Sequence, residues 1–159
     1  MADYAIESHP KDPDSYLMLA AALGLQNDNS GAWKAAITAL DLQPAFQPAL
    51  NALTLLAQEP KQREELLARY EKAIQAKPTT DQTYLEYVRL MQKTKGDRSS
   101  IMDNLEKGVS ALPTSTALRS ALVQEQLRAG KPDAAINVAQ TGASSNNATP
   151  EAIALLASL

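Results

Sequence analysis

The sequence has no cysteine. That excludes disulfides, thiolate metal ligands and thiol nucleophiles, and it fits a reducing or an oxidising compartment equally. A single histidine, His9, leaves no material for a histidine-based metal site or a catalytic triad. Aromatic residues make up only 4% of the chain, and its five tyrosines form no stripe along one helical face. A stacking platform for sugars or single-stranded nucleic acid is therefore not expected. Positive charge is not in excess either. The formal net charge of −3 gives no long-range attraction to a phosphate backbone, so no nucleic-acid partner is expected. No run of about 18 apolar residues occurs, so this segment is not expected to insert into a membrane. The residues after Met1 lack the charged, apolar and small-residue zones of a secretory signal. Gly24 and Gly31 are not followed by the Lys-Ser/Thr pair of a phosphate-binding loop.

Alanine and leucine are abundant, and runs of β-branched residues are missing. Both features favour helices, since Ala and Leu have the best helix propensities and strands want branched side chains. At 159 residues and 45% apolar, the chain is long enough to bury a continuous core.

The prolines supply a frame. Pro10, Pro44 and Pro78 are spaced by 34 residues, and Pro113 follows after 35. Small or apolar residues recur at fixed offsets behind them. Ten residues on stand Ala20, Thr54, Val88 and Val123. Twenty-two on stand Ala32, Leu66 and Ala135, with Ile101 one residue late. Twenty-nine on stand Ala39, Ala73 and Gly142, with Gly108 one late. The extra residue falls in the polar turn Thr94 to Ser100, where an insertion costs little.

This period and this pattern resemble the tetratricopeptide repeat. The resemblance implies an all-α fold, an α-α superhelix (a solenoid) of antiparallel helix pairs. Small side chains let the paired helices approach, and each proline ends one pair and opens the next. Residues 1–12 then read as the tail of a preceding repeat helix. Four repeats follow at 13–46, 47–80, 81–115 and 116–149, and 150–159 as the first helix of a truncated fifth. First helices are expected over 14–25, 47–58, 81–94 and 115–129, and second helices over 30–42, 61–76, 99–111 and 132–141. Both ends read as cut from a longer array. The apolar face of Ile153, Leu156 and Leu159 is expected to seek cover by self-association.

The chain is also similar to the tetratricopeptide-repeat lipoproteins of the bacterial PEP-CTERM/exosortase system. The similarity is carried by Leu118 to Val123 and by Leu127-Arg128-Ala129-Gly130-Lys131-Pro132-Asp133-Ala134-Ala135. It implies an exported, lipid-anchored parent in the periplasm or at the outer membrane, linked to exopolysaccharide export.

In such an array first helices line a concave groove. Helical spacing places there Asn51, Leu55 and Gln58; then Leu85, Arg89, Gln92 and Lys93; then Ser120, Gln124, Leu127 and Arg128. Amides, aliphatics and cations in this mixture suit an extended, acidic or C-terminal peptide. The blander reading is that each Arg or Lys is simply solvated. The carboxylate clamp of chaperone-tail binders is not reproduced, since Leu17 and Ala21 stand at its places in the first repeat. The leading expectation is a non-catalytic protein-binding scaffold with no cofactor and no metal. The alternative is a carbohydrate-binding component of a polysaccharide export system, with Tyr84 and Tyr87 the nearest aromatics to the groove. Catalytic pairs are absent: Glu64 and Glu65 point about 100° apart on a helix. Asp12, Asp14 and Asp28 read as helix caps. Trp33 is expected to plug the seam between the first two repeats, and Glu65 to pair with Arg69 on a solvated face.

Overall fold

A computed structural model describes residues 9–76, 79–94 and 96–143. The expectations for 150–159, self-association included, and for most of 1–12 lie outside the described residues. The chain divides after Thr79 into two compact units. Among the described residues there is no strand, and no helix is long and apolar enough to cross a membrane.

The N-terminal unit holds α1 (Pro13–Leu25), α2 (Asn29–Leu42), α3 (Gln47–Leu56) and α4 (Pro60–Gln75). Asp12 caps α1 by accepting from the Asp14 N–H at 3.1 Å, and Asp28 caps α2 by accepting from the Gly31 N–H at 2.8 Å. Each carboxylate satisfies a donor that the first helical turn leaves open. Between them Asn27 takes a positive φ of 62°, which asparagine tolerates better than most residues. Helix α3 ends at Leu56, two residues before the expected end. Pro60 pushes Glu59 into extended backbone and starts α4, and the Gln62 side chain reaches back to accept from the Gln58 and Glu59 N–H groups at 3.1 Å.

Consecutive helices pack on one another, α1 on α2, α2 on α3 and α3 on α4. Trp33 is buried and its indole N–H donates to Glu65 Oε2 at 3.1 Å, so it does bridge α2 and α4. The expected pair of Glu65 with Arg69 gives way to partners on α2. Glu65 serves Trp33, and Arg69 forms an ion pair with Asp41 at the end of α2. The side chains of one helical face are shared with the neighbouring helix rather than along the helix axis.

The C-terminal unit holds α5 (Asp81–Lys93), α6 (Arg98–Ala111), α7 (Thr116–Arg128) and α8 (Pro132–Ala143). Thr80, Asp97 and Ser115 cap α5, α6 and α7 by accepting from the N–H groups of Thr83, Ser100 and Leu118. Gly130 takes a left-handed φ of 70° between α7 and α8, and Pro132 opens α8. The Ser115 hydroxyl also donates to Asp81 Oδ2 at 2.9 Å, which ties the start of α7 to the start of α5.

Of the twelve positions in the proline frame, eleven are buried, and Thr54 is half-buried. The frame therefore marks the packing seams. Thr54 departs for a reason. Its hydroxyl donates to the Leu50 carbonyl at 2.8 Å and lies 2.9 Å from the Tyr70 hydroxyl, which then donates to it. A second recurrence emerges only from the structure. Six residues after the first proline, the Tyr16 hydroxyl donates back to the Pro10 carbonyl at 3.1 Å. Six after the last, Arg119 Nη2 donates back to the Pro113 carbonyl at 2.7 Å. Arg119 is only 5% exposed and lies against Gly142, where a Cβ would come within 2.5 Å of its Cδ.

Candidate functional site

Helices α5 and α7 approach each other within the C-terminal unit and leave a concavity of about 330 Å³ between them. Its position follows from the cap geometry, since Ser115 and Asp81 fasten the two helices at their N-terminal ends. Its floor is apolar: Val88 and Leu105 are buried, and Leu85, Ala117 and Ala121 complete it. Its rim is polar: Arg89, Gln92, Ser120, Gln124 and Arg128, and the buried Glu125 also lines it. The mixture suits a guest with both a backbone to hydrogen-bond and an apolar side chain to bury.

Six of the expected groove residues meet here: Leu85, Arg89, Gln92, Ser120, Gln124 and Arg128. Lys93 and Leu127 are exposed on the same helices but do not line the concavity. Asn51, Leu55 and Gln58 belong to the N-terminal unit. There Asn51 accepts from the Gln47 side chain at 3.0 Å, and Leu55 is 79% exposed. Gln58 lies beyond the end of α3, and its backbone helps to cap α4 and to hold Arg63.

The cations of the rim are not bare. Arg89 pairs with Glu86, one turn back on α5. Arg128 pairs with Glu125 on α7. Glu125 is the residue that sequence reasoning misses. It is only 5% exposed, and its Oε1 also accepts from Gln92 Nε2 of α5 at 2.7 Å. A buried carboxylate with two charge-assisted or amide donors is satisfied rather than stranded. A second concavity of about 470 Å³ adjoins the first and shares Gln92, Glu125 and Arg128 with it. It adds Gly96, Arg98 and Ile101, and Arg98 Nη1 donates to the Arg128 carbonyl at 3.2 Å. Among the described residues, the ionisable lining of the two together is Arg89, Arg98, Arg128 and Glu125, an excess of positive charge.

Tyr84 and Tyr87, the nearest aromatic candidates, are buried and line neither concavity. Burial pushes the Tyr84 phenol above its ordinary value of 10. Among the described residues no three His, Cys, Asp or Glu side chains come together as a metal-binding group.

The sequence matches no family model and no curated protein. Solved structures do match. YrrB, a TPR protein with an unusual peptide-binding site, is similar over 98% of this chain and 80% of its own, with a TM-score of 0.59 at 17% identity. MamA is similar over 88% of this chain and 81% of its own, with a TM-score of 0.61 at 12% identity. The flexible tandem repeat domain of a bacterial cellulose synthase component is similar over 96% of this chain and 78% of its own, with a TM-score of 0.51 at 22% identity. The fold is thus the tetratricopeptide-repeat fold of antiparallel helix pairs.

Proposed function

We propose that this chain is a non-catalytic scaffold that binds an extended, acidic segment of a partner protein against α5 and α7. The observation that carries the reading is the concavity between those helices, with an apolar floor, an amide and hydroxyl rim, and more cations than carboxylates in its lining. An extended backbone can hydrogen-bond Gln92, Gln124 and Ser120 while acidic side chains approach Arg89 and Arg128. The similarity to YrrB, a protein with a peptide-binding site, supports a peptide as the guest. In this reading the chain is four repeats, 13–46, 47–80, 81–115 and 116–149. A place in exopolysaccharide or PEP-CTERM protein export is part of the proposal, supported by the likeness to the cellulose synthase repeat domain. Direct binding of carbohydrate is the weaker reading, because among the described residues no aromatic ring lines the concavity.

The test is calorimetry with a decapeptide of alternating glutamate and leucine, against a cello-oligosaccharide of similar length. Binding of the peptide alone is expected. Reversing both cations, Arg89→Glu with Arg128→Glu, is expected to weaken it about tenfold or more at low salt, with a smaller loss at high salt. Peptide affinity indifferent to the double reversal removes the reading, and selective binding of the oligosaccharide replaces it.

A further inference from the structure

The Arg128–Glu125 pair is asymmetric. The arginine side chain is 57% exposed at the rim, while the glutamate side chain is 7% exposed. An ordinary surface pair exchanges freely with water and contributes little. Here one member is fixed, because Gln92 Nε2 on the neighbouring helix donates to the same Glu125 Oε1 that Arg128 uses. Glu125 lines both concavities, so its charge faces the space a guest would occupy. A guest carboxylate approaching Arg128 meets a cation that already has a partner, and a like charge close behind it. In a partly buried site that repulsion is not fully screened.

We infer that Glu125 is a resident competitor for Arg128 and the residue that sets how tightly the site holds an anionic segment. It occupies the guanidinium while the site is empty and holds it in place over the α5–α7 concavity. It also limits the affinity of any acidic segment, so selection falls on guests that add apolar and backbone contacts to their charge. This rests on the acidic-peptide reading above.

A double-mutant cycle tests it with the same glutamate–leucine decapeptide. Glu125→Gln keeps the volume and leaves an amide oxygen to accept from Gln92. It is expected to raise affinity roughly tenfold at low salt. Arg128→Gln alone removes a cation that already has a partner but leaves the Glu125 charge uncompensated, and about a threefold or greater loss is expected. In the Glu125→Gln background the same change is expected to abolish the whole gain. Glu125→Gln with unchanged or lower affinity overturns the inference, as does a gain that survives Arg128→Gln, since the arginine is then not what the glutamate withholds. Both results are compatible with the acidic-peptide reading, which fails separately if the Arg89 and Arg128 reversals have no effect. Glu125→Asp, which keeps the charge but draws it back from Arg128, is the second variant where Glu125→Gln impairs folding; a gain of about twofold or more is expected, and no gain overturns the inference.

Discussion

Tyr70→Ala is expected to destabilise the N-terminal unit by about 3–5 kcal/mol, the range for truncating a large buried aromatic. Tyr70 is the largest of the fully buried side chains among the described residues and sits at 0% exposure in α4. Its ring fills the space beside α3, and its hydroxyl meets Thr54 there at 2.9 Å. Removing the ring leaves a cavity, and the helices around such a cavity collapse into it only in part. Tyr70→Phe separates the two contributions. It keeps the ring and loses the contact to Thr54, whose own proton still reaches the Leu50 carbonyl, so a loss of about 1 kcal/mol is expected. Urea unfolding of the three proteins measures both differences. A Tyr70→Ala variant no less stable than Tyr70→Phe contradicts the packing described here.

The second large effect concerns the small-residue register. A Cβ at Gly108 on α6 would lie 3.1 Å from Tyr84 ring carbons and 3.3 Å from a Leu118 methyl. Tyr84 and Leu118 are both buried, on α5 and α7, so neither can swing into water. Gly108→Leu is therefore expected to cost about 1–3 kcal/mol or more by overpacking, against the roughly 1 kcal/mol that a better helix former returns. Gly24, on α1, is the control. A Cβ there meets nothing within 4 Å, and Gly24→Ala is expected to stabilise by about 0.5–1 kcal/mol. Thermal melts that move in opposite directions for these two glycines locate the seam where the proline frame puts it. Parallel shifts place it elsewhere.

The fold is largely legible in the sequence because its determinants are local or periodic. Small residues in step with the prolines mark the seams. Asp12, Asp28 and Gly130 mark helix ends through backbone chemistry that acts within a few residues. What the sequence hides is which polar side chains reach across helices. Glu65 and Arg69 have the spacing of a helical pair, yet the partners available on α2 win both of them. Arg119 stands where another repeat has Tyr16, and the common feature is a hydrogen bond to a proline carbonyl, not a shape or a charge. Glu125 is one step along the helix from Gln124, which helical spacing assigns to the groove. A carboxylate there is read as solvated unless its amide donor 33 residues away is known. The site is accordingly half visible. Its register along α5 and α7 follows from helical spacing, while its electrostatic balance depends on long-range pairs.

Amide chemical-shift mapping during titration with the glutamate–leucine decapeptide tests the binding surface most directly. The expected pattern is the largest shifts at Leu85, Arg89, Gln92, Ser120, Gln124 and Arg128, facing the α5–α7 concavity. Shifts centred instead on Asp103, Glu106, Lys107 and Ser110, which line a separate hollow along α6, contradict the account.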